Sequence, residues 1–555
     1  MTSRSFTRRR VAAGLAALLV GVGLLGGDAI SDARWLALLW LAWLALLVAV
    51  WPRLRQGVEP SARAIVQTST VLATLFAALA VQLGRTQVVR SRAISEKVGT
   101  DPETGDILAN PRLAGGALRV RRGRIVDRAG RVLAESVASG ETDGEPGGGF
   151  RRVVPEPNAA AVVGYFSPLL YGTAGLERAY DVELSGRGGP GGLERALADF
   201  VGRPRQGLEL RLSLDLGLQQ LADDLLAGRP GAAVLLDATT GATLALASAP
   251  GYDPNRLATV DDAERQAAQA YWSRMEADPA APLLVRPTTG LYPPGSTFKV
   301  LVAAAAIDQG LAEPETTFED AGELVVDGHV IPEFNRPDET RTVWTLEEAV
   351  GWSLNVVFAR IGLDLGSDGL ANAAERWGFG APLPSDLPTA ASRLEADPGF
   401  VEDPVGLAET AFGQGQLLAT PLQMALVAAG IANGGGIMRP WLVGSMADAE
   451  GDEVWRVEPG EWRRPVRPET AQAVARMMTW GVRQGAAGAA AIPGVEVGAK
   501  TGTAEAAEGQ EPHAWFIGFA GRYAVAVVLD NAGGGGANAL PVGRELLRAA
   551  VGAAG

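Results

Sequence analysis

Three apolar runs without a charged residue dominate the first 83 residues and decide what this part of the chain can become: residues 11–27, 35–51 and 65–83. Each is close to the roughly 17 to 25 apolar residues that a helix needs to cross the hydrocarbon of a bilayer. We therefore expect a membrane region over residues 1–83 with three transmembrane helices. The third run contains several Thr, Ser and Gln side chains, so a buried soluble helix is the alternative for it.

The distribution of arginines predicts how these helices are oriented. Positive charge before the first run and between the second and third comes from Arg4, Arg8, Arg9, Arg10, Arg53, Arg55 and Arg63, whereas Arg34 is alone between the first two. Because loops rich in arginine stay in the cytoplasm, the N-terminus is predicted to be cytoplasmic and everything after about residue 84 extracytoplasmic. A cleaved signal in the first run is the alternative, and it leaves the same final orientation.

The composition removes several classes of function. The chain has 555 residues, enough for at least two domains, and a net charge of −14, which disfavours a nucleic-acid partner. It has no cysteine and only two histidines, His329 and His513, so disulfides, thiolate nucleophiles and His-rich metal cages are excluded. Both histidines are expected to be structural rather than catalytic. Only three lysines occur among 49 basic residues, so each of them is informative.

Patterns beyond the membrane region predict an α+β protein. Residues 119–135 alternate around Arg128-Ala129-Gly130 as in a half-buried hairpin, and the glycine-rich stretches 144–149, 186–192 and 533–536 indicate turns or flexible loops. This region, residues 84–205, is predicted to form a small β-rich domain. The remaining residues, 206–555, form the predicted C-terminal domain.

The C-terminal domain opens and closes with predicted strands. Strands are expected at 232–237, 243–248, 496–503, 514–520 and 523–529, and helices at 213–228, 297–309, 421–433 and 468–483, with further ones from Thr345 and Val542. Thr345 with Glu348 fits a capping box, and Thr420, Pro421 and Gly434 supply the start and end signals of another helix. Helices bracketed by strands suggest one antiparallel sheet with an inserted helical lobe.

Three short motifs contain the predicted chemistry. In chain order they are Ser296-Thr297-Phe298-Lys299, Ser353-Leu354-Asn355 and Lys500-Thr501-Gly502-Thr503. Each motif alone is common in solvated turns, but the three together, in the order of penicillin-recognising serine acyl-enzymes, favour catalysis. In Ser-x-x-Lys at the start of a helix both side chains lie on one face, so a desolvated amine of Lys299 can take the proton of Ser296.

The other residues of these motifs have predicted roles beside this nucleophile and base. Ser353 is expected to relay a proton to the leaving amine, and Asn355 to hold a substrate amide. Lys500 keeps the site positive, while Thr501 and Thr503 offer hydroxyls to a terminal carboxylate. Gly502, which lacks a side chain, lets an extended peptide pair closely along that strand.

These motifs resemble those of class B penicillin-binding proteins, the membrane-anchored peptidoglycan D,D-transpeptidases. The resemblance extends from about residue 119 to the end of the chain. It includes the stretches Arg122 to Leu133-Ala134, Gly172 to Glu177, Leu291 to Lys299, Gly413 to Pro421 and Trp515 to Phe519. It implies a β-rich pedestal domain at 84–205 and a penicillin-binding transpeptidase domain at 206–555.

The same resemblance implies the reaction and the partners. Ser296 is acylated by the penultimate D-Ala of a stem peptide, and the acyl group passes to an amine of a neighbouring strand. The oxyanion hole corresponds to the backbone N–H groups of Ser296 and Thr503. β-Lactams are implied as covalent inhibitors, a polytopic lipid II glycan polymerase as membrane partner, and no metal or organic cofactor.

Two features differ from the family, and other functions remain open. Members typically have one membrane helix, equivalent to the third run, so the first two runs are additional; the pedestal is also short. A membrane-bound β-lactam sensor, and a D,D-carboxypeptidase or β-lactamase that uses the same serine with water, are the alternatives. The pedestal motifs argue against them. The sequence leaves open whether the protein acts in elongation, division or sporulation.

Overall fold

The computed structural model describes residues 3–25, 30–54, 57–86, 99–100, 107–108, 117–139, 149–187, 206–260, 262–506 and 509–553. The chain forms two compact units, Met1–Ala114 and Gly115–Gly555. The predicted glycine-rich stretches 144–149 and 186–192 lie largely outside the described residues. The α+β architecture expected from the sequence is confirmed.

The N-terminal unit contains the three apolar runs as helices, with two short strands after them: Ser3–Leu25, Asp32–Val50, Pro60–Gly84, Gly99–Thr100 and Ile107–Leu108. Among the described residues the second and third helices are long and apolar enough to cross a membrane, with mean hydropathies of 2.0 and 1.9. Only 6% of the apolar stretch of Pro60–Gly84 is buried, which disfavours the alternative of a buried soluble helix. Ser3–Leu25 starts before its apolar run and includes the arginines.

The predicted hairpin near residue 125 is confirmed, although it begins later than expected. Its strands are Ile125–Val126 and Val132–Ala138, which pair antiparallel. The fully buried carboxylate of Asp127 closes the turn by accepting hydrogen bonds from the backbone N–H groups of Ala129 and Arg131, each at 2.8 Å. Gly130 has φ +86°, a conformation that L-residues other than glycine seldom adopt.

This hairpin belongs to a six-stranded sheet whose strands come from distant parts of the chain. In spatial order the strands are Glu453–Arg456, Val443–Ala447, Glu209–Leu212, Ile125–Val126, Val132–Ala138 and Phe150–Val153. Against it pack short helices and a small hairpin: Pro157–Ala159, Ala160–Val163, Phe166–Ser167, Gly172–Thr173, Gly175–Ala179 and Asp181–Leu184. Buried Glu177 accepts hydrogen bonds from Arg122 and Arg152, so it joins the two sequence motifs of this region.

The second sheet is five-stranded and wholly antiparallel. Its spatial order is Thr243–Ala249, Gly231–Asp237, Tyr523–Leu529, His513–Ala520 and Val497–Ala504. Alternate side chains of each strand face opposite sides. Val234 and Leu236 enter the large core shared with the helical lobe, whereas Ala233 and Leu235 pack against the helices Leu216–Leu226 and Gly535–Ala553. The sheet is therefore covered on both faces, as an inserted helical lobe requires.

Most of the remaining elements lie in the chain between the strands Thr243–Ala249 and Val497–Ala504. The helices are Leu216–Leu226, Asp262–Ala277, Arg286–Thr289, Lys299–Asp308, Leu346–Trp352, Asn355–Arg376, Pro404–Ala411, Pro421–Ala432, Pro468–Arg483 and Gly535–Ala553. Short 3₁₀ turns are Pro254–Arg256, Gly295–Thr297, Phe400–Glu402 and Gly488–Ala490. Three small two-stranded antiparallel sheets pair Thr317–Glu319 with Val343–Thr345, Glu323–Val326 with His329–Pro332, and Ile437–Met438 with Glu461–Arg463, and the second of them is a hairpin.

Local capping signals set several helix ends as predicted. Thr345 and Glu348 form the expected capping box, and the Thr420 hydroxyl accepts a hydrogen bond from the N–H of Gln423. The prediction of a helix from Val542 was wrong by seven residues, because the helix begins at Gly535 and contains Pro541. A Cβ on Gly535 would lie 2.1 Å from the carbonyl oxygen of Gly502, so close packing on the sheet explains the glycine that sequence analysis assigned to a loop.

Candidate active site

A short turn at the start of a helix holds the predicted nucleophile. Ser296 lies in the 3₁₀ turn Gly295–Thr297, and Lys299 is the first residue of the helix that follows. The three-residue spacing sets both side chains on one face. Gly295, with φ +53°, donates its N–H to the carbonyl of Gly413 at 3.0 Å, so the turn is fixed to a neighbouring loop.

The amine of Lys299 is fully buried and hydrogen-bonded. It donates to the backbone carbonyl of Ser353 and to Oδ1 of Asn355, each at 2.7 Å. Burial lowers the pKa of Lys299 to about 7, although the carboxylate of Glu333 acts in the opposite direction. Near neutral pH a substantial fraction of this amine is therefore unprotonated and able to accept a proton.

Lys500, which lies in the strand Val497–Ala504, also contacts Ser353. Its buried amine donates to the hydroxyl of Ser353 at 2.7 Å and to the carbonyl of Thr501 at 2.9 Å. Burial lowers the pKa of Lys500 well below its usual value, and the positive charge of Lys299 acts in the same direction. The structure thus brings four predicted residues from all three motifs into one hydrogen-bonded group: Lys299, Ser353, Asn355 and Lys500.

Ser353 joins the two lysines because of its backbone conformation. It ends the helix Leu346–Trp352 with φ +69° and ψ +39°, and the helix Asn355–Arg376 begins two residues later. A left-handed conformation is uncommon for residues other than glycine and is often found at functional sites. In this conformation the carbonyl of Ser353 faces Lys299 and its hydroxyl faces Lys500.

The strand that contains Lys500 lies at the edge of the five-stranded sheet, as expected for a strand that pairs with an extended peptide. The structure gives Gly502 a further reason to be glycine: a Cβ there would lie 3.0 Å from both the carbonyl oxygen of Pro294 and Cγ2 of Thr297. Because Gly502 has no side chain, the turn Gly295–Thr297 that holds Ser296, the nucleophile turn, can approach the strand. The hydroxyl of Thr503 accepts a hydrogen bond from the N–H of Gly535 at 3.3 Å.

A cleft of about 880 Å³ opens over this group. Six of the eight predicted site residues line it: Ser296, Ser353, Asn355, Thr501, Gly502 and Thr503. The two lysines, which are buried, connect with the cleft through Ser353 and Asn355. A cleft of this size accommodates a short peptide next to the serine hydroxyl.

Two residues outside the predicted site also hold this arrangement. The side-chain amide of Asn335 donates to the carbonyl of Ser353 at 3.0 Å, and Glu333 accepts a hydrogen bond from the N–H of Val356 at 3.0 Å. Both follow the strand His329–Pro332, about 20 residues before Ser353. No motif surrounds them, so only the folded structure identifies them.

The histidines have different environments. His513 is half-buried, and its Nδ1 accepts the N–H of Asn531 at 3.2 Å, in keeping with the structural role expected for it. His329 begins a strand, because the turn of that hairpin is formed by Asp327 and Gly328. It lines the cleft, and its Nε2 lies 3.3 Å from Oε1 of Glu409.

Comparison with known proteins agrees with this geometry. Residues 231–548 match the penicillin-binding protein transpeptidase domain, and residues 122–210 match the penicillin-binding protein A dimerisation domain. Peptidoglycan D,D-transpeptidase PbpA of Mycolicibacterium smegmatis is 37% identical over 465 residues, which are 78% of this chain and 89% of the relative. Its counterpart from Mycobacterium tuberculosis is also 37% identical, with the same coverage.

Solved structures with a similar fold are also penicillin-binding proteins. Penicillin-binding protein A from Mycobacterium tuberculosis as its ceftriaxone acyl-enzyme complex has a TM-score of 0.72 at 35% identity, over 79% of this chain and 100% of that one. The penicillin G acyl-enzyme complex has a TM-score of 0.69 at 35% identity, over 78% and 100%. This chain therefore belongs to the class B penicillin-binding proteins, the family of serine-type peptidoglycan D,D-transpeptidases.

Proposed function

We propose that this chain cross-links peptidoglycan stem peptides through an acyl-enzyme on Ser296. The observation that carries the proposal is the buried pair of lysines, both hydrogen-bonded to Ser353 at 2.7 Å beneath the cleft that Ser296 lines. A buried amine that is partly neutral at pH 7 is the base that a serine hydroxyl needs. Lys299 takes the proton of Ser296 as Oγ attacks the carbonyl of the penultimate D-Ala.

The terminal D-Ala then leaves as an amine and needs a proton. Ser353 supplies it from its hydroxyl, and Lys500, which donates to that hydroxyl, restores the proton on Ser353. The proton that Lys299 took from Ser296 then replaces the one that Lys500 gave. The buried amine of Lys299, which is partly charged near pH 7, keeps the region positive while negative charge develops on the attacked carbonyl. The N–H groups of Ser296 and Thr503 form the proposed oxyanion hole.

The donor peptide binds along the edge strand. Thr501 and Thr503 receive its terminal carboxylate, and Asn355 holds an amide of its backbone, since all three line the cleft. Gly502 serves both the peptide, which pairs beside it, and the nucleophile turn, which packs against it. No resident metal or organic cofactor is part of this proposal.

Mass spectrometry after incubation with benzylpenicillin tests the assignment of the nucleophile. The detergent-solubilised full chain is digested, and the peptide containing Ser296 is expected to gain the mass of the intact drug. Ser296→Ala should remain folded and gain no mass. Folded wild-type protein that shows no adduct, or an adduct on a different peptide, contradicts the proposal.

We further propose that the membrane region spans the bilayer three times. The N-terminus is cytoplasmic and the catalytic domain extracytoplasmic, which follows from the placement of the arginines. The two helices Asp32–Val50 and Pro60–Gly84 have the required length and composition. Protease accessibility of tags at the N-terminus and at the C-terminus of the intact chain tests this: protection inside right-side-out vesicles is expected only for the N-terminal tag.

The domain limits and the membrane partner complete the proposal. We place the pedestal at 84–205 and the transpeptidase domain at 206–555, limits that the two family matches support approximately. From the family resemblance we propose a polytopic lipid II glycan polymerase as the partner. Co-purification from cross-linked membranes tests it, and loss of the partner on replacement of residues 1–83 by an unrelated anchor is the expected result.

A further inference from the structure

The wall of the cleft away from the three motifs contains an imidazole and a carboxylate that contact each other. Nε2 of His329, from the hairpin strand His329–Pro332, lies 3.3 Å from Oε1 of Glu409, from the helix Pro404–Ala411. Both residues line the same cleft as Ser296. The side chain of Glu409 is 28% exposed, so it is partly desolvated yet accessible from the cleft.

The carboxylate of Glu409 has the wrong charge for the donor peptide. The donor ends in a carboxylate, which suits the buried lysines and the threonines of the edge strand, and a glutamate repels it. The second substrate of a transpeptidase is different, because its reacting group is a primary amine that arrives mostly as an ammonium ion. Charge complementarity therefore matches Glu409 to the acceptor.

We propose that Glu409 receives the ammonium group of the acceptor stem peptide and takes its proton, with His329 orienting the carboxylate. The inference rests on the proposed acyl-enzyme at Ser296. The ammonium gives one proton to Glu409, and its nitrogen then attacks the acyl carbon. The C–N bond forms, the bond from carbon to Oγ of Ser296 breaks, and the second amine proton returns to Oγ through Lys299. The proton on Glu409 leaves to solvent.

The environment of Glu409 suits a proton acceptor. Burial raises its pKa above the usual value, and the acidic side chains of Glu505 and Asp403 act in the same direction, whereas His329 lowers it. A carboxylate with a raised pKa holds a proton better than an exposed one. The helix that contains Glu409 also packs against the hairpin, because the neighbouring residue Ala408 is buried with Val326 and Ile331.

An acyl-transfer partition assay with the solubilised full chain tests the proposal. A thioester analogue of the acyl-D-Ala donor is offered with Nα-acetyl-lysine amide as a cationic amine acceptor, or with methanol as a neutral one. Glu409→Gln is expected to raise the KM for the amine and lower its transfer rate, together roughly 10- to 100-fold, the size of a lost hydrogen bond to a charged group. Transfer to methanol and to water should stay near wild type.

Two variants separate this role from simple support of the hairpin. Glu409→Asp keeps the charge and should recover part of the amine transfer, whereas Glu402→Gln, an exposed glutamate that does not line the cleft, should change nothing. Equal losses with amine and methanol, or amine transfer unchanged in Glu409→Gln, overturn the inference. Benzylpenicillin acylation is measured in parallel, because a missing Ser296 adduct in the wild type refutes the proposed function instead.

Discussion

The backbone contact between Gly413 and Gly295 is the one that we expect to matter most for the position of the nucleophile Ser296. Its carbonyl accepts the N–H of Gly295 at 3.0 Å, and a Cβ on Gly413 would lie 1.8 Å from the carbonyl oxygen of Gly295. Since carbon and oxygen seldom approach closer than about 3 Å, Gly413→Ala must separate the loop from the nucleophile turn by about 1 Å. Ser296 moves with that turn.

The expected loss follows from this displacement. A misplacement of about 1 Å in a reacting group can reduce a rate by about 100-fold, so Gly413→Ala should acylate with a fluorescent penicillin about 100 times more slowly than wild type. Gly413 also has φ +96°, which adds a backbone cost of about 1–2 kcal/mol to the free energy of folding when alanine replaces glycine.

Gly380→Ala is the matched control for that backbone cost. Gly380 has φ +89° and open space where its Cβ would lie, so it shares the conformational cost without the collision. It should lose a similar part of its stability in thermal unfolding while its acylation rate stays within about twofold of wild type. An acylation rate of Gly413→Ala within about threefold of that of Gly380→Ala would show that the collision at Gly295 does not displace Ser296.

Three further predictions concern buried charges. Acylation of Ser296 should rise with pH through an apparent pKa near 7 and then level off, because Lys299 accepts a proton only when neutral; a profile flat from pH 5 to 9 would exclude this base. Glu333→Gln should move that pKa to lower pH, since its carboxylate favours charged Lys299, and stopped-flow pH profiles of both proteins measure the shift. Glu177→Gln should destabilise the protein by about 3–5 kcal/mol in denaturant unfolding, because it leaves buried Arg152 without its carboxylate partner and Arg122 with Asp181 alone, and a loss below about 1 kcal/mol would count against this view.

Structural elements whose signals lie among neighbouring residues were predictable from the sequence. The strands of the five-stranded sheet, the capping box at Thr345 and the helix Pro468–Arg483 agree with the structure because alternation, caps and helical spacing involve neighbours in the chain. The family could likewise be recognised from the order of its motifs. The start of the last helix was missed because packing of Gly535 on the sheet, rather than local propensity, decides it.

The amino-acid sequence specifies which groups this protein has for chemistry: a serine and a lysine on one helical turn, a second serine, and a lysine on a strand. The tertiary fold brings Lys299 and Lys500 together at Ser353 and buries them there. It also decided that Asn335 supports Ser353 and that Glu409 lines the same cleft. Burial and convergence depend on contacts between residues far apart in the chain, and those contacts set the pKa of an amine, which no local pattern encodes.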